Sequence, residues 1–354
     1  MKKIESKAVK VHIKDTEKIR KELREKNILN TNLKIFREKE YAFLPVKNEI
    51  KLSSKNLKLT KAYFCRNESK SDSYKELVKI PDKFKKYLPS SFDIVGDILV
   101  VKINDELFDY KKNIGKAILN SHKNVNSVYM VESVSGEYRT RNLELIAGKP
   151  KTRTVYKEFG MNLLVDIKKV YFSPRLANER KRVADTVQNK ETVLDMFTGV
   201  APFPIMIAKY SNPEIIYGID KNKSAIELAN KNVRLNNVYD KVKLICGDSR
   251  NIKDLIKQEK ILEIDRIIMN LPFSSFNFFG YALDLVKNMT TIHYYDILSE
   301  GKNDERINDL KKIAESKDID LLDLKVNKIK SYSPREFYIG IDITAKKKLN
   351  ADVA

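Results

Sequence analysis

Four polar residues stand where apolar stretches stop. Val193-Leu-Asp195 ends in an acid and runs on into Met-Phe-Thr-Gly199. Ile215-Ile-Tyr-Gly-Ile-Asp220 ends in a second acid, and Ile245-Cys-Gly-Asp248 in a third. Arg266-Ile-Ile-Met-Asn270 ends in an amide and continues as Leu271-Pro272. Short apolar runs of this kind read as buried strands. Acceptors at successive strand ends suit a ligand with ribose hydroxyls, an amino group and an adenine. In a doubly wound sheet such a ligand sits at the carboxyl ends of the strands. A dinucleotide would need several glycines for close backbone approach to its pyrophosphate. Only Gly199 is present here, with Ala201 where a second glycine would stand, and acids would repel a phosphate. S-adenosylmethionine has no phosphate and carries a sulfonium and an ammonium. Asp195, Asp220, Asp248 and Asn270 therefore point to it. Acids at strand ends also occur as plain turn residues, but four polar ends in one βα alternation weigh for the cofactor.

The elements that must position these residues begin near residue 167. Arg175–Val187 reads as a basic helix ahead of the first sheet strand, and Ser224–Asn236 as an amphipathic helix. Thr290–Tyr295, Asp320–Val326 and Glu336–Thr344 read as later strands. This alternation predicts a doubly wound α/β domain over residues 167–346. Two smaller α+β units precede it. In the first, 1–68, residues 8–14 alternate like a strand, Thr16 caps a helix Glu17–Lys26, and Leu33–Phe36 and Tyr41–Val46 read as short strands. A linker is expected around Arg66–Ser73, where apolar residues stop. In the second, 74–166, Pro81 opens a helix through Tyr87. Phe92–Val95 and Ile98–Ile103 flank a Gly96-Asp97 hairpin turn. A helix over Leu107–Leu119, a strand over Val125–Val131 and a hairpin around Gly160 complete it.

Length and charge narrow the class. A chain of 354 residues holds two or three domains. Lys and Arg number 68 against 48 Asp and Glu, a net charge of +20, which favours a polyanionic partner such as nucleic acid. An organism-wide lysine bias would give a similar count. The two cysteines are far apart, so no disulfide framework or Cys-x-x-Cys metal site is expected. Three histidines make a histidine metal site improbable. Neither a signal peptide nor a membrane span is expected, and the reading is a cytoplasmic protein.

Five segments together carry a resemblance. They are Tyr171-Phe-Ser-Pro-Arg-Leu-Ala-Asn-Glu-Arg180, Asp195-Met-Phe-Thr-Gly199, Asn270-Leu-Pro272, Ile292-His-Tyr-Tyr295 and Ser331-Tyr-Ser-Pro-Arg-Glu336. In order, they resemble the archaeal and eukaryotic tRNA (guanine-37, N1)-methyltransferase family over roughly residues 76–345. The small N-terminal unit resembles that family's extra recognition domain. The resemblance implies a Rossmann-like class I methyltransferase domain. The implied reaction is transfer of a methyl group from S-adenosylmethionine to N1 of guanosine 37, beside the anticodon. The implied partner is tRNA, held at its anticodon loop and outer corner by a monomer.

Guanine N1 carries a proton and is a poor nucleophile until that proton leaves, so a carboxylate base is wanted. Its loss throws charge onto O6, where a guanidinium would stabilise the transition state. By motif, the resemblance gives Glu179 as the base and Arg139 as the O6 donor. It gives Asn270 and Pro272 as the loop holding the base and Tyr171 as a nearby aromatic. Arg180, Asp220, Lys221, Asp248, Ser249 and Asn270 match cofactor contacts, with Asp195 and Gly199 shaping the turn. Taken alone, Glu179 beside Arg175 and Arg180 reads as a surface ion pair, Arg139 and Arg141 as solvated charges or phosphate contacts, and Tyr171 as core. Asp342 and His293 read as structural. Ala201 departs from the family pattern and either crowds the methionine end of the cofactor or shifts the turn. The rings of Phe273–Gly280 either pack on the core or stack on an RNA base. Other readings are a wybutosine-pathway aminocarboxypropyl transferase, added methylation of a tricyclic guanosine intermediate, and a non-catalytic tRNA-binding protein.

Overall fold

A computed structural model describes residues 3–47, 58–65, 73–135, 140–261 and 263–348. The chain divides into two compact units, Met1–Ile80 with Asn120–His122, and Pro81–Leu119 with Lys123–Ala354.

In the first unit β1 (Lys3–His12) pairs antiparallel with β3 (Tyr41–Pro45) and β4 (Lys58–Cys65), and β2 (Phe36–Glu38) adds to β3. Helix α1 (Thr16–Glu25) packs Ile19 and Leu23 onto one face, against Val9, Val11, Ala42 and Leu44. Thr16 is its first residue and not its cap; its hydroxyl donates to the His12 carbonyl. The strand β4 goes beyond the expected elements. It alternates Ala62 and Phe64, both buried, with exposed Lys61 and Tyr63, and its lysines mask that pattern in the sequence. The expected linker falls mostly on residues outside those described. The one-turn α2 (Tyr74–Leu77) follows.

The second unit opens with the hairpin β5 (Phe92–Val95) and β6 (Ile98–Val101), then α3 (Lys111–Ser121), β7 (Ser127–Ser135) and β8 (Thr140–Gly148). These strands form one sheet in the order β5-β6-β7-β8. The stretch after Pro81 is a single 3-10 segment, Asp82–Tyr87, and not an α-helix. A second hairpin, β9 (Arg153–Glu158) with β10 (Met161–Asp166), turns at Phe159-Gly160.

The remaining elements alternate as expected. They are α4 (Ala177–Ala184), β11 (Thr192–Asp195), α5 (Pro202–Tyr210), β12 (Ile215–Asp220), α6 (Lys223–Leu235) and β13 (Val242–Cys246). They continue with α7 (Ile252–Gln258), β14 (Arg266–Met269), α8 (Ser275–Leu283), β15 (Met289–Ser299), α9 (Asn303–Glu315), β16 (Ile319–Ser333) and β17 (Glu336–Lys347). Helix α4 is shorter than the expected 175–187 because Pro174 starts a separate 3-10 turn ahead of it. The sheet order is β13-β12-β11-β14-β15-β17-β16. The first five strands are parallel, and β17 lies antiparallel between β15 and β16.

Alternation along the strands builds two cores. Val193, Ile216, Ile268 and Tyr295 face α4, α5 and α6; Leu194, Tyr217, Ile267 and Tyr294 face α7, α8 and α9. The free edge of β10 is closed by side chains of α6. Asn232 Oδ1 accepts from the Leu164 amide at 2.6 Å, and Asn236 Oδ1 accepts from the Asn162 amide at 3.0 Å. This removes an exposed strand edge.

Candidate functional site

The chain order reverses between β11 and β14, and the crevice at their carboxyl ends holds a cavity of about 380 Å³. That is within the ordinary size range of small-molecule sites. Each polar strand end lies in or beside it. Asp220 closes β12, and its carboxylate accepts from the Gly199 amide at 2.7 Å and the Asn222 amide at 2.8 Å. Gly199 adopts φ +56°, a left-handed conformation that glycine takes without strain. Asp248 receives Arg250 at 2.6 Å and Lys221 at 3.3 Å. The Arg250 hydrogen bond, with Lys221 behind it, outweighs burial and holds the Asp248 carboxyl well below the usual range. Ser249 donates to the Met196 carbonyl at 2.6 Å. Asn270 and Tyr171 also line the cavity; Tyr171 lies outside any strand.

Asp195 is fully buried behind this wall. One oxygen accepts from the Phe197 amide at 3.2 Å, while Oδ2 has no partner among the described residues. Burial pushes its carboxyl up to about 7; the Phe197 amide opposes the shift and Asp220 adds to it. Burial also raises Asp220. Two acids of raised pKa, Asp220 in the wall and Asp195 behind it, fit a ligand that brings positive charge. Phe197 and Phe278, edge to face with ring centroids 5.0 Å apart, give the cavity an apolar wall on which an adenine can rest. S-adenosylmethionine therefore fits this donor set.

The raised Asp195 pKa has a measurable sign. An unfolded Asp titrates near 3.9. Between about 4 and 7 the folded, ligand-free chain therefore binds more protons than the unfolded chain, and the stability this contributes is lost as pH rises. Asp195→Asn should gain Tm relative to the parent between pH 5 and pH 8. A difference that stays constant with pH would place the Asp195 carboxyl at its ordinary value.

One arginine assignment meets a different geometry. Arg180 does not reach the cavity. The residue is 1% exposed, and its guanidinium forms two hydrogen bonds with Glu158, at 2.7 and 2.6 Å, with the Ser173 carbonyl completing the set. On α4 it projects toward β9, so the expected cofactor contact gives way to a buried ion pair. Arg139 lies outside the described residues. Ala201 is also resolved: it caps α5 at φ +65°, with its methyl in the core and away from the cavity.

Glu179 is 6% exposed and does not line the cavity. Its partner is neither Arg175 nor Arg180. Arg182 donates to both of its oxygens, at 2.7 and 2.9 Å, and the Tyr295 hydroxyl donates at 2.7 Å. Arg182 also donates to Asp342 at 2.7 and 3.0 Å. Asp342 faces His293 Nδ1 at 2.6 Å, and His293 Nε2 faces Arg266 at 2.7 Å. Burial lowers the His293 pKa, so the ring is neutral. Its Nδ1 donates to Asp342 and its Nε2 accepts from Arg266, since an arginine can only donate. Arg266 is paired in turn with Glu191. Asp342 and His293, read as structural, thus fix the side chain that holds Glu179. The link to the cavity is aromatic. Tyr295 lies 6.0 Å, centroid to centroid, from Tyr338, whose hydroxyl donates to Asn270 Oδ1.

Tyr338, Phe197, Phe278 and Arg250 are site residues that the sequence reading did not single out. Phe197 stands inside the Asp195–Gly199 segment and Phe278 inside the aromatic stretch, which are the signals available for them. Pro272 and Phe273 continue from Asn270 and Leu271. Among the described residues no acid, cysteine and histidine group is arranged to hold a metal, and no helix is long and apolar enough to cross a membrane.

Comparison with known proteins covers nearly the whole chain. Residues 154–322 match the TRM5/TYW2 methyltransferase domain, 74–152 the TYW2 N-terminal domain and 8–53 the tRNA methyltransferase 5 N-terminal domain. The chain is 40% identical to tRNA (guanine(37)-N(1))-methyltransferase Trm5b of Pyrococcus abyssi, over 95% of this chain and 98% of that one. It is 32% identical to the tRNA(Phe) (4-demethylwyosine(37)-C(7)) aminocarboxypropyltransferase of Methanocaldococcus jannaschii, over 70% of this chain and 95% of the other. The crystal structure of Pyrococcus abyssi Trm5b superposes with a TM-score of 0.72 at 38% identity, covering 96% and 99% of the two chains. The complex of aTrm5 with tRNALeu superposes at 0.65, with 34% identity and 95% and 99% coverage.

Proposed function

Because the chain belongs to the TRM5/TYW2 methyltransferase family, we propose the following division of labour among its residues. The protein is a tRNA (guanine-37, N1)-methyltransferase that uses S-adenosylmethionine. Bound in the cavity, that cofactor supplies a methyl group activated by a positively charged sulfur. Asp220 accepts from the ribose hydroxyls, Asp248 and Ser249 from the adenine side, and Phe197 and Phe278 line the apolar wall beside the ring. Asp195 and Gly199 shape the turn and set a negative field behind it. Lys221 holds Asp248 in place. Asn270 and Pro272 hold the target guanine, with Tyr171 across the cavity.

Glu179 takes the N1 proton. The observation that carries this assignment is a chain of contacts: Asn270 lines the cavity and is bound by Tyr338, which packs on Tyr295, which binds Glu179. Charge balance supports it. Glu179, Asp342 and Arg182 sum to one negative charge, and the neutral His293 does not cancel it. Arg139 meets the charge that develops on O6.

Methyl transfer is favoured over aminocarboxypropyl transfer because the match to Trm5b extends through the N-terminal unit. The aminocarboxypropyltransferase of M. jannaschii matches 70% of the chain. The protein works in the cytosol as a monomer, and the residues before 68 grip the outer corner of tRNA. The test is labelled S-adenosylmethionine with unmodified tRNA transcripts, followed by nucleoside mass spectrometry. The expected product is 1-methylguanosine at position 37. An absence of methyl transfer to guanosine 37 would overturn the reading. Asp220→Ala should weaken cofactor binding by about 1–3 kcal/mol, the cost of lost charged hydrogen bonds, and wild-type calorimetry would remove it from the site.

A further inference from the structure

Two aromatic side chains at the rim of the cavity have no task in cofactor binding or proton removal. Phe273 is 52% exposed and Tyr332 54% exposed. Their rings meet edge to face, with centroids 5.3 Å apart. The residues on either side of the Pro272-Phe273 pair, Leu271 and Ser274, both line the cavity. Phe273 also holds φ +75°, a left-handed conformation that is strained for a residue bearing a side chain. The turn around it is built to keep it there. Fully buried Ser275 donates to the Met269 carbonyl at 2.9 Å, and the amides of Ser274 and Ser275 donate to the Leu271 carbonyl at 3.0 and 2.8 Å. Strain retained by a rigid frame, and used to turn a large ring outward, marks a surface with a function.

The chemistry of the target supplies the occupant. Guanine N1 lies on the pairing edge and cannot reach a cavity while its base is stacked, so the guanosine must swing out. Each neighbouring base then loses a stacking face. We propose that Phe273 and Tyr332 form a platform that stacks on a nucleobase adjacent to the extruded guanosine. This rests on the tRNA methyltransferase reading above. Stacking on an aromatic side chain is worth about 1–3 kcal/mol per base and accepts any base.

The test uses full-length protein and tRNA transcripts with 2-aminopurine placed, separately, on either side of guanosine 37. With wild-type enzyme, one probe should stay quenched on binding. Phe273→Ala, Tyr332→Ala and Phe273→Leu should each brighten it. They should raise the tRNA concentration for half-maximal single-turnover rate by about 5–150-fold, the span corresponding to one lost stack. Phe273→Trp should retain both properties. Cofactor affinity by calorimetry should stay at the wild-type value in all four, which also reports that they fold. Wild-type quenching and half-saturation in both alanine variants would overturn the platform while leaving the enzyme reading intact. A wild-type enzyme that leaves guanosine 37 unmethylated would overturn that reading instead, whatever the probes report.

Discussion

Glu179→Gln should slow methyl transfer by about 10²–10⁴ in single turnover, the usual contribution of a positioned base. Glutamine preserves the shape, and its oxygen still accepts from Tyr295 and from one Arg182 nitrogen, each at 2.7 Å in Glu179; the second Arg182 bond, at 2.9 Å, is lost. It cannot take a proton at neutral pH. Affinities for cofactor and tRNA should therefore change little, because the substitution keeps the size and shape of the side chain. Raising the pH should restore part of the rate, since hydroxide can then remove the N1 proton. Single-turnover measurement is needed because product release can mask the chemical step. A near-normal rate for the variant at neutral pH would leave Glu179 as an anchor for Arg182 and pass the base role elsewhere.

The second large effect is on stability. Arg180 and Glu158 have side chains 2% and 3% exposed and are 2.6 Å apart. Removing one member of such a pair strands a buried charge, at a cost of about 3–5 kcal/mol. Arg180→Met and Glu158→Gln should each lower Tm substantially. The double substitution should be less harmful than the sum, because neither charge is then left alone. The same pair of variants decides what Arg180 does. A loss of S-adenosylmethionine affinity with unchanged Tm would return it to the cofactor site, against the geometry.

The contrast between neighbours on α4 shows where sequence reasoning reaches its limit. Asp195, Asp220 and Asn270 were legible because a strand end is a place: alternation and a terminal polar residue locate it, and the sheet order brings the ends together. Glu179, Arg180 and Arg182 lie within one turn of a helix, and their roles depend on which partner each faces. The partners are Glu158, 22 positions from Arg180, and Asp342, 160 positions from Arg182. No local spacing encodes them. The family motif marks Glu179 and Arg180 together, whereas the packing sends one toward Tyr295 and the other toward β9. Strand β16 was partly legible for a different reason. It is an edge strand of 15 residues with three register shifts, and its lysines interrupt the alternation that identified Asp320–Val326. Bulges and lysines are how an edge avoids pairing with another chain, and they also blur its signal. Helix α9 passed unnoticed because only Leu310 and Ala314 are buried on it.

Strand β17 leaves the ribosome after β16, yet it is hydrogen-bonded between β15 and β16. A growing chain that has exposed only residues up to β16 has no neighbour for that strand, because its partner has not been made. The parallel half, from β13 to β15, can assemble first, as N-terminal segments do during synthesis. Its strand ends already carry Asp195, Asp220 and Asn270. Asp342 and Tyr338 arrive only with β17. Until then Arg182 lacks its second carboxylate and Asn270 lacks its hydroxyl donor. A half-made chain can thus present the cavity's strand ends before the network around Arg182 and Asn270 is complete, so that network waits for the synthesis of β17.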